Sequence, residues 1–241
     1  DQTMIAPGLV VRNTHFGIAT RVGRNSLTTA DSGMFALGPQ SGLDIQTGSR
    51  GLSTWMTAAT SEGVIPNNIV TVDLGEPSLT FGHVNLENAV GQPVYLPSIG
   101  AMYWIVQMSF PQIALNGPVL VDTAAAYLSL TPASMQILMS QIPGSRLDTT
   151  FDHLLLIPYG RTLKPFTIVI GDREFVLSSE KQFLNQPYLR EPPGFRYSIF
   201  HQMGYIPKGV GAIFGGKVQK HFVIILDDDK HRVGFAARTE P

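Results

Sequence analysis

The residues whose types could do chemistry together lie in one stretch, residues 118–128. An apolar run ends in Asp122, a hydroxyl residue and three alanines follow, and the sequence then becomes apolar again. Carboxylates are seldom buried unless something pairs with them or hydrogen-bonds to them, so this pattern predicts a reactive group held in a tight turn. The alternative is an ordinary Asx-turn between two strands. The local sequence leaves both interpretations open.

Other kinds of site lack support in the sequence. There is no cysteine, and the six histidines are never spaced as metal ligands. The glycines of residues 209–216 do not have the dinucleotide-binding spacing, and no Gly-x-Ser-x-Gly motif occurs. The acidic run at residues 227–231 lacks the alternating ligands of a calcium loop. We therefore predict neither a cofactor nor a metal.

The charge composition gives no sign of two classes of partner. The 241 residues include 17 basic and 18 acidic side chains, with a net charge of −1 and no long basic run. Binding to nucleic acid or to an anionic membrane surface is therefore not expected. No apolar stretch reaches the roughly 18 to 20 residues of a membrane-spanning helix.

The elements that must position Asp122 are mostly short strands. About a dozen strand-like segments are separated by Gly and Pro turns, which indicates a mainly β fold. Helical spacing appears at residues 52–61 and after Pro132, where Thr131 is a competent N-cap. We expect a buried turn or short strand at residues 31–39, a strand continuing through residues 113–116, and a solvated hairpin tip at residues 227–231.

Several segments together resemble the pepsin-like aspartic proteases. Residues 120–126, Leu-Val-Asp-Thr-Ala-Ala-Ala, are similar in position and partly in residue to that family's catalytic Asp-Thr-Gly signature. Segments 79–82, 103–106, 213–215 and 232–236 resemble other strands of the family, so the resemblance covers almost the whole chain. It implies a bilobal β fold whose N-terminal lobe is incomplete in this chain. Residues 1–92 would be the remainder of that lobe, and residues 93–241 the C-terminal lobe with Asp122.

The resemblance also implies that half of the active site lies elsewhere. The sequence begins where the family's polypeptide has already passed the first catalytic Asp and the flap that closes over substrate. We therefore interpret it as the larger chain of a two-chain molecule, whose smaller N-terminal chain supplies that Asp and the flap. Association of two copies of this chain is the alternative.

The family's chemistry gives each matching residue a role. Two carboxylates share a proton, and together they activate a water and protonate the peptide carbonyl. The resemblance implies that Asp122 is half of this dyad and that Thr123 and Ala124 fix its loop. Ala125, Tyr103 and Ile213 would line the cleft for a peptide or protein substrate. An extracellular or vacuolar location follows from the resemblance alone.

Three departures from the family pattern bear on activity. Ala124 and Ala36 stand where the family has glycine, and Gly216 stands where it has Asp. An added methyl costs on the order of 1 to 3 kcal/mol where the backbone conformation is incompatible with it, and little where it is compatible. Ala125 also replaces a hydroxyl that hydrogen-bonds the carboxylate in most relatives. The second hypothesis is therefore a pseudoprotease that binds a peptide, a glycan or a protein in the cleft without cutting it.

Overall fold

The computed structural model of the chain describes residues 2–12, 14–15, 34–48, 51–185, 190–205 and 207–239. Within these ranges the protein is mainly β, as predicted, with sixteen strands and four α-helices. The first eight strands are β1 (Gln2–Ala6), β2 (Leu9–Arg12), β3 (Ile69–Asp73), β4 (Ser78–Phe81), β5 (Ala89–Pro97), β6 (Ile105–Phe110), β7 (Leu115–Val121) and β8 (Leu128–Leu130). The others are β9 (Arg146–Asp148), β10 (Leu154–Pro158), β11 (Phe166–Ile170), β12 (Arg173–Leu177), β13 (Phe195–Gln202), β14 (Ala212–Phe214), β15 (Phe222–Asp227) and β16 (Arg232–Arg238).

The helices are α1 (Gln40–Thr47), α2 (Trp55–Ser61), α3 (Pro132–Ser140) and α4 (Gly216–Gln219). The two predicted helices are α2 and α3. The N-cap predicted at Thr131 is present in α3, and α2 is capped in the same way by Thr54. The Thr54 hydroxyl accepts a hydrogen bond from Thr57 N, and the Thr131 hydroxyl accepts one from Ser134 N. None of the described helices is long and apolar enough to cross a membrane.

A nine-stranded sheet forms the part of the fold that carries Asp122. Its strand order is β12-β11-β6-β7-β14-β8-β13-β10-β9. β7 and β14 are parallel, and each has an antiparallel neighbour on its other side, β6 and β8 respectively. The strand that ends just before Asp122 is therefore paired on both edges, which fixes the position where the turn begins.

A five-stranded sheet, β4-β3-β15-β16-β5, joins the early and late parts of the chain. The C-terminal hairpin β15–β16 pairs with β3 on one side and β5 on the other. The boundary predicted after residue 92 falls inside β5, and the division into 1–92 and 93–241 stays a prediction.

The core runs continuously between the two large sheets. Phe214 of β14 packs against Phe222 and Phe235 of the five-stranded sheet, with ring centroids 5.3 and 6.1 Å apart. All three side chains are fully buried. The strand beside Asp122 is thus anchored from behind by aromatic packing.

Three local predictions were wrong in whole or in part. Residues 34–39 form no strand, and Met34 is 72% exposed, while residues 31–33 lie outside the described ranges. Phe35, also exposed, packs edge-on against Trp55 and Phe81.

The other two errors have specific causes. Residues 111–113 form a 3-10 turn that ends in Ala114 at a φ of 52°, so β7 begins only at Leu115. The proline at position 111 favours such a turn because its φ is fixed near the helical value. Residues 227–231 do form the tip of the β15–β16 hairpin, and Asp229 and Lys230 are exposed. The tip is not fully solvated, however, because Asp227 is 1% exposed and accepts a 2.6 Å hydrogen bond from Arg232 Nε.

The next residue of that tip, Asp228, ties the hairpin to the early part of the chain. Its Oδ2 accepts hydrogen bonds from Gln40 N at 3.0 Å and from Asn68 Nδ2 at 3.3 Å. Burial raises the pKa of Asp228, and Asp229 adds to the effect, although the hydrogen bond from Gln40 N, the charge of His231 and the bond from Asn68 act in the opposite direction. The environment of the Asp228 side chain therefore favours the protonated, neutral carboxyl group.

Asp228→Asn is expected to become more stable than the original protein as the pH rises, because only the original protein must then bury a charged carboxylate. A carboxyl whose folded-state pKa is raised stabilises the fold below its unfolded pKa and loses that contribution as the pH rises through the folded pKa. Asn keeps an oxygen that accepts from Gln40 N but has no charge to bury. Urea unfolding from pH 3 to pH 7 measures the difference. Asp172→Asn, at an exposed turn, is the control, and an Asp228→Asn effect independent of pH would contradict the prediction.

Candidate active site

Asp122 lies immediately beyond the end of β7, at the centre of the nine-stranded sheet. Val121 N donates to Trp104 O of the neighbouring chain segment at 2.8 Å, and Asp122 N donates to Phe214 O at 3.3 Å. The residue is half-buried, whereas Thr123 and Ala124 are exposed. The backbone therefore holds the aspartate on both sides while its loop stays accessible.

The carboxylate itself is oriented by its own turn. Asp122 Oδ1 accepts a 2.9 Å hydrogen bond from Ala124 N, which is the geometry of an Asx-turn. The two interpretations of the local sequence, a held reactive group and an Asx-turn, are thus compatible. The hydrogen bond is that of an ordinary Asx-turn, but the position of the turn is unusual. It stands at the end of a central strand rather than at a sheet edge.

The loop after Asp122 packs directly against the segment after β14. Gly216 N donates to Ala125 O at 2.7 Å, and Lys217 N donates to Ala126 O at 2.8 Å. A Cβ at Gly215 would clash with Tyr127 O and would lie 2.7 Å from Ala125 O. Only glycine lets the two backbones approach this closely.

The alanines that replace family glycines are accommodated by the backbone. Among the described residues, the non-glycine positions with a left-handed φ are Ala114, Asp152, His153 and His231. Neither Ala124 nor Ala36 is one of them, so the added methyl groups create no backbone strain. Gly216 likewise lacks a left-handed φ, and a Cβ there would meet its nearest atom, Leu74 Cδ1, at 3.5 Å.

The predicted cleft residues gather around the same strand ends. Tyr103 is exposed and precedes Trp104, whose carbonyl pairs with Val121. Ile213 is half-buried in β14, opposite Leu120 of β7. Ala125 contributes its carbonyl to the contact with Gly216.

Sequence reasoning missed several polar residues in this sheet and in α4 beside it. Gln219 is fully buried, and its Nε2 donates to Phe214 O at 2.6 Å, which braces the strand beside Asp122. Ser129 and His201 meet through their side chains at 2.9 Å. No local signal joins residues 129 and 201, because only the parallel pairing of β8 with β13 brings them together.

Two further features lie outside this site. The described residues contain no group of His, Cys, Asp or Glu that could hold a metal ion. A surface groove of about 550 Å³ lies along α3, between Pro132, Met139, Ile142 and Gln202. Asp122 is not part of its lining.

The fold and the Asp122 turn together define a β protein with one aspartate presented by a central strand. A family model described as eukaryotic aspartyl protease matches residues 1–238. The chain therefore belongs to the eukaryotic aspartyl protease family, and the predicted family is confirmed. Family and fold support a protease-type function with peptide or protein substrates.

One solved structure shows the same fold over most of the chain. It is the crystal structure of aspartic proteinase from Irpex lacteus, with a TM-score of 0.81 and 22% sequence identity. The match covers 95% of this chain and 74% of that one, in agreement with the prediction that this sequence carries only part of the N-terminal lobe. No curated protein matches the chain significantly in sequence.

Proposed function

We propose that this chain is the larger part of an aspartic endopeptidase in which Asp122 is one of two catalytic carboxylates. The observation that carries the proposal is the place of Asp122, half-buried at the end of a central strand with Oδ1 held by Ala124 N. Such a carboxylate is oriented by the backbone and still reachable by a ligand. Thr123, exposed beside it, would fix the loop by contacts with the opposite half of the site.

The reaction needs a second carboxylate. Two carboxyl groups about 3 Å apart share one proton, so that one activates a water while the other protonates the scissile carbonyl. We assign the second Asp, with the flap, to a smaller N-terminal chain. Ala125, Tyr103 and Ile213 then line one wall of the cleft, and the setting is extracellular or vacuolar as is typical of the family.

Features of the early residues support a partner at that end of the molecule. Met4, Met34, Phe35 and Ile45 are exposed apolar side chains. Within the described residues, the buried Trp55 Nε1 has no hydrogen-bond partner. Exposed apolar surface is unfavourable unless another polypeptide covers it, and an unpaired buried donor is unfavourable unless an acceptor reaches it.

The catalytic proposal is tested by acid proteolysis. The native protein is expected to cleave an unfolded protein substrate at acidic pH and to be inhibited by a peptide with a hydroxyl in place of the scissile carbonyl. Tight binding of that peptide without any cleavage would select the pseudoprotease. Ala125, whose methyl cannot hydrogen-bond the carboxylate, is the observation that favours that second function.

The two-chain arrangement has its own measurement. Native mass spectrometry is expected to show this chain together with a smaller polypeptide, and denaturant is expected to separate them. If the protein proves to be one longer polypeptide, the proposal of a separate smaller chain is contradicted, but the proposal of a catalytic dyad is not. A stable monomer of this chain alone, or a dimer of it, would remove the proposed partner.

A further inference from the structure

A polar cluster lies on the same face of the nine-stranded sheet as Asp122. Pairing across β7, β14, β8 and β13 places four side chains in one row: Leu120, Ile213, Ser129 and His201. The next row is formed by Val121, Phe214, Leu128 and Phe200, all of them buried in the core. Because side chains alternate between faces, the first row faces away from the core. Asp122 lies just beyond β7, but its N–H continues the pairing by donating to Phe214 O at 3.3 Å, so the same alternation places it on the face of Leu120.

Both ring nitrogens of His201 face a partner in this cluster. Nδ1 lies 2.9 Å from Ser129 Oγ, and Nε2 lies 3.7 Å from Asp152 Oδ1. Ser129 is 4% exposed, and the His201 side chain 15%. The Asp152 side chain is 69% exposed, so the cluster runs from a buried hydroxyl to a carboxylate at the rim.

The backbone at Asp152 is fixed by the turn between β9 and β10. Asp152 and His153 have left-handed φ angles of 48° and 52°. Leu154 N donates to Phe151 O across the turn, and Gln202 N donates to His153 O at 3.2 Å. The position of Asp152 is therefore tied to β13 as well as to its own hairpin.

The chemistry of the rim suits a cation. An exposed carboxylate makes charge-assisted hydrogen bonds to ammonium or guanidinium groups. The Tyr127 ring, with its centroid 6.0 Å from that of His201, adds an aromatic face of the kind that attracts cations.

Protonation of His201 would oppose binding of a cation. Burial lowers the pKa of His201, while the charge of Asp152 raises it and that of His153 lowers it further. The neutral imidazole therefore persists to lower pH than in an exposed histidine. Once protonated, His201 would pair with Asp152 and compete with a ligand cation.

We infer that Asp152, supported by His201 and Tyr127, is a specificity subsite for a Lys or Arg side chain of the peptide in the cleft. The inference rests on the proposed function. His201 is three strands from β7, about 14 Å at roughly 4.8 Å per strand. An extended peptide advances about 3.3 Å per residue, so the recognised side chain lies about four residues from the scissile bond.

The test uses the native protein and peptides that carry the hydroxyl in place of the scissile carbonyl. One Lys is moved along an otherwise neutral peptide, with norleucine and Glu at the same positions as references. About tenfold tighter binding is expected for Lys at one position, decreasing as the pH falls and His201 is protonated. The absence of such a position would overturn the inference.

Asp152→Asn is expected to abolish the Lys preference, and His201→Ala to remove the part of its pH dependence that is due to the imidazole, leaving only the part due to protonation of Asp152. Asn accepts a left-handed φ as readily as Asp, so the turn is kept. Asp172→Asn is the matched control. A Lys preference that survives Asp152→Asn would also overturn the inference. Cleavage is scored separately on a peptide without Lys, so selective binding without cleavage contradicts only the protease function, and cleavage without selectivity contradicts only the subsite.

Discussion

Replacing Asp122 with Asn is expected to lower kcat/KM for acid proteolysis by about 10²- to 10⁴-fold, the usual range for loss of a general acid or base. An amide cannot share a proton with the second carboxylate, so the water is no longer activated. The fold is expected to change little, because the Asn oxygen still accepts from Ala124 N, as Asp122 Oδ1 does at 2.9 Å. Urea unfolding is expected to differ by less than about 0.5 kcal/mol.

The matched control is Asp172→Asn, which makes the same chemical change in the exposed turn between β11 and β12. It is expected to leave both cleavage and stability as they are. Cleavage that survives Asp122→Asn would show that Asp122 is not a catalytic group. Loss of activity together with a large loss of stability would show that Asp122 is needed for folding rather than for the chemical step. If the variant still binds the hydroxyl peptide tightly, its cleft is intact and this explanation is excluded.

The Asp122 turn could be predicted from sequence because its signals are local. An apolar strand, an Asx residue and small residues follow one another within residues 118–126, and each acts on its immediate neighbours. The same is true of α3, where the N-cap Thr131 and Pro132 precede an apolar stripe. Local hydrogen bonds and the fixed φ of proline decide these elements.

The helix α1 was missed because its sequence carries almost no periodic apolar pattern. Gly42 is its buried residue, and a Cβ there would come within 2.5 Å of Met102 O. The helix is positioned by a close backbone contact with a segment some sixty residues away. A contact made through a glycine adds no apolar side chain to the helical repeat, so the spacing of apolar residues does not reveal it.

The exposure of Met34 and the cluster around His201 were missed for another reason. Both features depend on contacts between segments that are far apart in the sequence or that belong to different chains. An apolar residue such as Met34 is predicted to be buried, but the sequence does not say which polypeptide covers it. Likewise the register of β8 with β13 decides that Ser129 meets His201, and a shift of one residue would turn either side chain to the other face.

The crossing of two backbones at Gly215 could not be predicted from the sequence, although residues 213–215 were among the segments that resemble the family. Ala125 O and Tyr127 O both approach the position where a Cβ would stand, and both are backbone atoms. Backbone atoms cannot rotate away as a flexible side chain can. The loop of Asp122 must therefore move if position 215 gains a methyl group.

Gly215→Ala is accordingly expected to destabilise the protein by about 1–3 kcal/mol, the usual cost of overpacking. At about 2–4 °C per kcal/mol for a protein of this size, the melting temperature falls by roughly 2–12 °C. Cleavage is expected to fall by more than the loss of folded protein explains, because the displaced residues connect directly to Asp122.

Gly216→Ala is the matched control: a Cβ there meets Leu74 Cδ1 at 3.5 Å and Ala125 O at 3.6 Å, and alanine suits the first turn of α4. Thermal melting and acid cleavage of the two variants separate the cases, and equal behaviour of Gly215→Ala and Gly216→Ala would refute the close crossing that holds the aspartate in place.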